Sequence, residues 1–115
     1  MIASIFSRIF LKRYRARLHG QNFRIQFDGK LENACFITTR YISAMDETQA
    51  KELAKTVVLH ELAHRLNVDI EQQLNSRQNP ASLVVEEIYQ VKWRAGRLRI
   101  QRGFTFYECE DHKSE

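Results

Sequence analysis

The sequence predicts a single α+β domain: a mostly antiparallel sheet of four to six strands packed against one main helix at about residues 46–66. Three observations lead there. Two early stretches alternate apolar and polar residues with period two, the pattern of half-buried strands. A later stretch carries helix start signals followed by apolar residues at helical spacing. The chain has 115 residues, 43% of them hydrophobic, enough for one domain with a modest core and too few for two. No apolar run approaches the roughly 20 residues of a membrane-spanning helix.

Residues 1–11 form an N-terminal extension in which Ile2, Ile5, Phe6, Ile9 and Phe10 fall on one helical face. A short amphipathic helix is expected there, packed on its own domain or on a second subunit. An apolar face flanked by Arg8 and Lys12 also suits peripheral contact with an anionic membrane or an organelle-targeting segment, whereas Arg8 interrupts the apolar run that a secretory signal needs. The domain itself is placed at 12–108. Tyr14, Ala16 and Leu18 alternate with Arg13, Arg15, Arg17 and His19. A turn is expected at His19–Asn22, after which Phe23, Ile25 and Phe27 resume the alternation as the second arm of a hairpin. Asp28-Gly29-Lys30 is a second turn, and the β-branched, aromatic run Ala34–Ala44 a third strand.

Asp46 is placed to cap the main helix, with Glu47 in its first turn and Gln49 as capping-box partner. Asn67 is a plausible left-handed stop. Residues 67–82, with the only proline at Pro80, read as a loop. Leu83–Trp93 is a fourth strand, 98–100 a fifth and Phe104–Tyr107 a sixth, followed by a charged tail at 109–115. Cys35 and Cys109 are too few for a disulfide framework and are expected as reduced thiols in a cytoplasmic protein, a single bridge being the alternative.

The net charge of +4 is uneven: residues 1–27 carry +6 with no acidic residue, and the remainder carries −2. Arg13, Arg15, Arg17 and Arg24 can line one sheet face. A second acid-free stretch holds Lys92, Arg94, Arg97, Arg99 and Arg102, flanked by Trp93 and Phe104. Basic side chains interleaved with aromatics can hold nucleic acid or another anionic surface, and a solvated basic face uses the same residues. Glu86 and Glu87 are neighbours on a strand and are expected on opposite faces, each opposite an arginine of the next strand.

One motif is sharp. His60-Glu61-Leu62-Ala63-His64 matches H-E-x-x-H on the main helix, where His60 and His64 share a face and could ligate one zinc ion while Glu61 serves as general base. At about 100° per residue, these three fall with Ala50, Leu53, Ala54 and Val57 on the face expected to press on the sheet. Leu59, Leu62, Ala63 and Leu66 fall toward the opposite side, so the apolar face switches along the helix. A second packed surface, a partner subunit or a polar site under the helix would account for the switch. The motif's local resemblance to zincin metallopeptidases is incomplete. Ile70 occupies one pattern's third-ligand position, and Glu86 and Glu87, 22 and 23 residues beyond His64, lie in a predicted strand rather than a second helix.

Phe36–Ala44 followed by Asp46-Glu47 resembles a family of small bacterial α+β proteins without an assigned activity. Tyr14–Phe23, Val85-Glu86-Glu87-Ile88 and Gly103–Tyr107 resemble the same family. The resemblance spans about residues 12–108 and implies the fold. The family pattern has no zinc motif, which weighs against catalysis. The leading expectation is a small non-enzymatic cytoplasmic protein that works by protein–protein contact or self-association, through the second apolar side of its helix and without a cofactor. The rivals are a minimal zinc hydrolase using His60, Glu61 and His64, and a nucleic-acid or anion binder using Arg13, Arg15, Arg17, Arg24, Arg97 and Arg99.

Overall fold

A computed structural model describes residues 11–92 and 103–109 of the chain. Asp28 and Gly29 both have positive φ, 52° and 80°, the backbone of a two-residue hairpin turn whose twist matches that of its strands. They join β1 (Lys12–Phe27) to β2 (Lys30–Ala44) in an antiparallel pair running from Phe27↔Lys30 to Lys12↔Ala44. The expected turn at His19–Asn22 is not there, because β1 passes through it unbroken. Between Gly20↔Phe36 and Phe23↔Ala34 the register shifts, so Gln21 and Asn22 together face the single residue Cys35. Asn22 absorbs the extra residue in a left-handed conformation, φ 62°. Gly20 keeps the strand intact, since the Phe36 ring occupies the space where its Cβ would stand.

β3 (Ser82–Val91) and β4 (Phe104–Glu108) add to the outer sides, giving, among the described residues, a four-stranded antiparallel sheet in the order β3-β1-β2-β4. The expected N-terminal helix and the strand at 98–100 lie outside the described residues.

The main helix, α1, covers Glu47–Arg65. As its sequence predicts, Asp46 Oδ1 accepts from the Gln49 amide at 2.8 Å. Gln49 Oε1 in return accepts from the Met45 amide at 2.7 Å, one residue before the usual capping-box donor. The buried stripe of α1 is Ala50, Ala54, Val58 and Leu62, each fully shielded. This corrects the expected face. The helix rests on the sheet along an i+4 row, which drifts about 40° per step at 100° per residue. Contact therefore begins at Ala50 and reaches Leu62 on what the wheel assigns to the other side. Leu59 and Leu66 pack against the core's margin, while Leu53 and Val57 are 39% and 38% exposed. The apolar switch along the helix is thus absorbed by one core. Beyond Asn67, whose φ is 56°, the expected loop contains a second short helix, α2 (Ile70–Leu74), capped by Asp69.

Phe36, fully buried, packs against Phe23, Phe104 and Phe106 at ring separations of 5.5, 5.1 and 5.9 Å. β4 thereby carries two aromatic rings into the core. Cys35 and Cys109 are not free thiols: they are joined in a disulfide with Cα atoms 5.1 Å apart, because the β2–β4 register sets Tyr107 opposite Cys35 and brings Cys109 alongside. Among the described residues no helix is long and apolar enough to cross a membrane.

Candidate functional site

The H-E-x-x-H residues divide between solvent and interface. His60 and His64 stand exposed on the outer side of α1, with ring centroids 4.1 Å apart. Glu61 turns inward. Its Oε1 lies 2.9 Å from Nη2 of Arg40, a β2 residue only 4% exposed on the helix-facing side of the sheet, and its Oε2 lies 4.0 Å from Nη1 of Arg65. Arg40 also donates from Nε to Thr38 Oγ1 at 3.0 Å, while Thr38 Oγ1 donates to the Gly103 carbonyl at 2.8 Å. Its guanidinium carbon stands 5.2 Å from the Phe104 ring centroid. The carboxylate that the motif offers as a base is therefore committed to two arginines, and its principal partner ties helix to sheet. Among the described residues no group of three or more His, Cys, Asp or Glu side chains is arranged to hold a metal ion.

The opposite face of the sheet is uncovered by any described element. Arg13, Arg15, Arg17 and His19 project from β1 onto this face, as the alternation predicts. Glu86 and Glu87 both join them. Between Arg17↔Glu87 and Leu18↔Val85 the β3 register shifts by one residue, and this bulge turns Glu86 to the same side as its neighbour. The expectation of opposite faces fails for that reason, while the expected arginine partners are present. Arg15 Nη1 lies 3.6 Å from Glu87 Oε1, and Arg17 Nε lies 3.8 Å from Glu86 Oε1. Arg15 also sits over the Tyr89 ring at 5.6 Å. Arg13 sits over Tyr41 at 5.9 Å and donates to Ser43 Oγ at 3.1 Å.

His19 connects the two outer strands. Its Nδ1 lies 3.1 Å from Glu86 Oε2, its Nε2 is in hydrogen-bond contact with the Tyr107 hydroxyl, and the two rings stack at 5.9 Å. A carboxylate only accepts, so of the two neutral tautomers the one with its proton on Nδ1 suits Glu86. In that tautomer Nε2 accepts and the Tyr107 hydroxyl donates to it.

The chain matches no family model, no curated protein and no solved structure. Its chemistry must be read from its own geometry.

The remaining predicted positions are scattered. Arg24 is exposed beyond the β1 bulge and away from the three other arginines. Its main-chain N–H donates to Gln73 Oε1 at 2.7 Å, and its carbonyl accepts from Gln73 Nε2 at 3.0 Å, which docks α2 on the strand. Arg97 and Arg99 lie outside the described residues. Sequence reasoning missed Arg40, Tyr107 and the part played by His19. The phase of the β1 alternation already placed His19 among the arginines, but only the fold brings residues 88 positions apart together.

Proposed function

We propose that this chain is a non-enzymatic interaction module that docks a protein through the open face of its sheet, a second copy of itself being the favoured occupant. The observation that carries this reading is the makeup of that face. Tyr89 and Val84 are 45% and 51% exposed, and they stand among arginines that are already countered by Glu86 and Glu87. Tyrosine and arginine are the side chains that contribute most at protein interfaces. Both signs of charge occur on the one face, as an isologous contact between two copies requires. A nucleic-acid site would leave more of its cations unpaired. The surface thus differs from the one the sequence suggests, since Leu62 lies in the core. The Cys35–Cys109 bridge favours an oxidising compartment over the expected cytoplasmic one.

Sedimentation equilibrium across a wide concentration range tests the reading. A reversible dimer is expected, weakened by salt and lost when Val84→Arg is combined with Tyr89→Glu. A monomer at every concentration would overturn it. Salt-sensitive capture of a labelled oligonucleotide by that monomer would put the nucleic-acid reading in its place.

A further inference from the structure

We propose that Tyr107 is a nucleophilic phenol that accepts an acyl group from an activated ester, with His19 as its base and Glu86 as the carboxylate that orients the base. The order of groups is the argument. Glu86 Oε2 stands 3.1 Å from His19 Nδ1, a placement that favours the neutral tautomer whose Nε2 lone pair meets the Tyr107 hydroxyl. Nucleophile, base and orienting acid stand in the succession that activates a hydroxyl in acyl transfer. Arg17 Nε, 3.8 Å from the other Glu86 oxygen, holds the carboxylate from the far side.

The fold places each member by a separate backbone device. The β3 bulge turns Glu86 onto the face, the β1 bulge at Gln21–Asn22 follows just after His19, and the disulfide to Cys35 lies two residues from Tyr107. Bulges of this kind re-aim side chains next to functional sites. Tyr107 is 39% exposed, so the residue is open to solvent rather than enclosed in the core. Tyr41 and Tyr89 lie on the same face with an arginine over each ring, and at concentrations where the chain is monomeric they serve as internal references.

The step is balanced without a further reagent. The phenolic oxygen attacks the carbonyl carbon as its proton passes to His19 Nε2. The bond from that carbon to the leaving oxygen breaks, and the leaving group takes the proton from Nε2. The products are an ester on Tyr107 and a free alcohol.

The test treats the whole chain with p-nitrophenyl acetate, follows p-nitrophenol release, and maps acetyl groups by peptide mass spectrometry. A burst of about one equivalent is expected, with the acetyl group on Tyr107 well ahead of Tyr41 and Tyr89. His19→Gln is expected to slow Tyr107 acetylation by about 10²-fold or more, the usual contribution of a positioned base, while leaving the two reference tyrosines unchanged. Tyr107→Phe is expected to remove the burst. If Tyr107 reacts no faster than Tyr41 and Tyr89 in the unaltered protein, the proposal fails, and that comparison depends on no variant folding. Equal rates with and without the His19 ring would overturn the role given to it.

Discussion

Arg40 and Glu61 meet at 2.9 Å between the sheet and α1, with the arginine 4% exposed and the glutamate side chain 20% exposed. The pair explains why a glutamate interrupts the otherwise apolar inner side of the helix. An arginine facing the core from the middle of β2 needs a counter-charge, and α1 presents one at the height of Glu61. Thr38 and the Phe104 ring also border it.

Removing the glutamate takes from that buried guanidinium the carboxylate 2.9 Å away. Glu61→Ala is expected to cost about 3 kcal/mol, since breaking a buried pair from one side forfeits the compensation for its desolvation. In a domain of this size that lowers the melting temperature by roughly 10–20 °C. Replacing both partners, as Arg40→Met with Glu61→Leu, is expected to recover most of the loss. Urea denaturation of the two singles and the double decides it. A single-variant cost below about 1 kcal/mol would mean that water compensates the arginine and that the pair is not structural.

Gly20 and Phe36 are a second matched pair. A Cβ on Gly20 would collide with the Phe36 ring, which is fully buried and has no room to withdraw. Gly20→Ala is expected to cost about 1–3 kcal/mol through overpacking. Shortening the partner, as Phe36→Leu, makes space, so the double variant should be more stable than the summed singles imply. A double-mutant cycle by denaturant titration measures the coupling, and additive costs would contradict this account.

These pairs show which parts of the architecture were legible in the sequence. Alternation in β1, the Asp28-Gly29 turn and the Asp46/Gln49 cap are local, and each appears where its residues predict it. The break expected at His19–Asn22 did not occur, because turn-forming residues are also bulge-forming residues and only the partner strand decides between them. The same limit hid Glu86, whose facing depends on a one-residue slip against β1. Wheel arithmetic identified the change of apolar face along α1 but not its cause, which is the path of the helix over the sheet. Arg40 gave no signal in a strand otherwise rich in apolar and β-branched residues.

The cap supplies a local prediction. Asp46 Oδ1 accepts from the Gln49 amide at 2.8 Å, and Gln49 Oε1 accepts from the Met45 amide at 2.7 Å. Asp46→Ala is expected to cost about 1 kcal/mol, whereas Asp46→Asn retains an acceptor and costs less. Thermal unfolding followed by circular dichroism separates the two. Equal losses would show that charge at the helix terminus, rather than the hydrogen bond, is responsible.

The disulfide makes the largest demand on the fold. β4 has only five residues, yet it brings Phe104 and Phe106 against the core and Tyr107 to His19. Cys35 and Cys109 are 74 positions apart, and closing a loop of that size removes about 4 kcal/mol of chain entropy from the unfolded state in the loop-closure description. Reduction is therefore expected to lower stability by up to about that amount, less whatever structure the unfolded chain retains. It should act first on β4, whose backbone pairs on one side with β2 alone. Hydrogen exchange before and after reduction reads this directly. Amides at Phe104–Glu108 should lose protection while those in the middle of β1, paired on both sides, keep theirs. A uniform loss across both strands would mean that the bridge stabilises the domain as one cooperative unit, and unchanged exchange at β4 would mean that its two core phenylalanines hold it without the bridge.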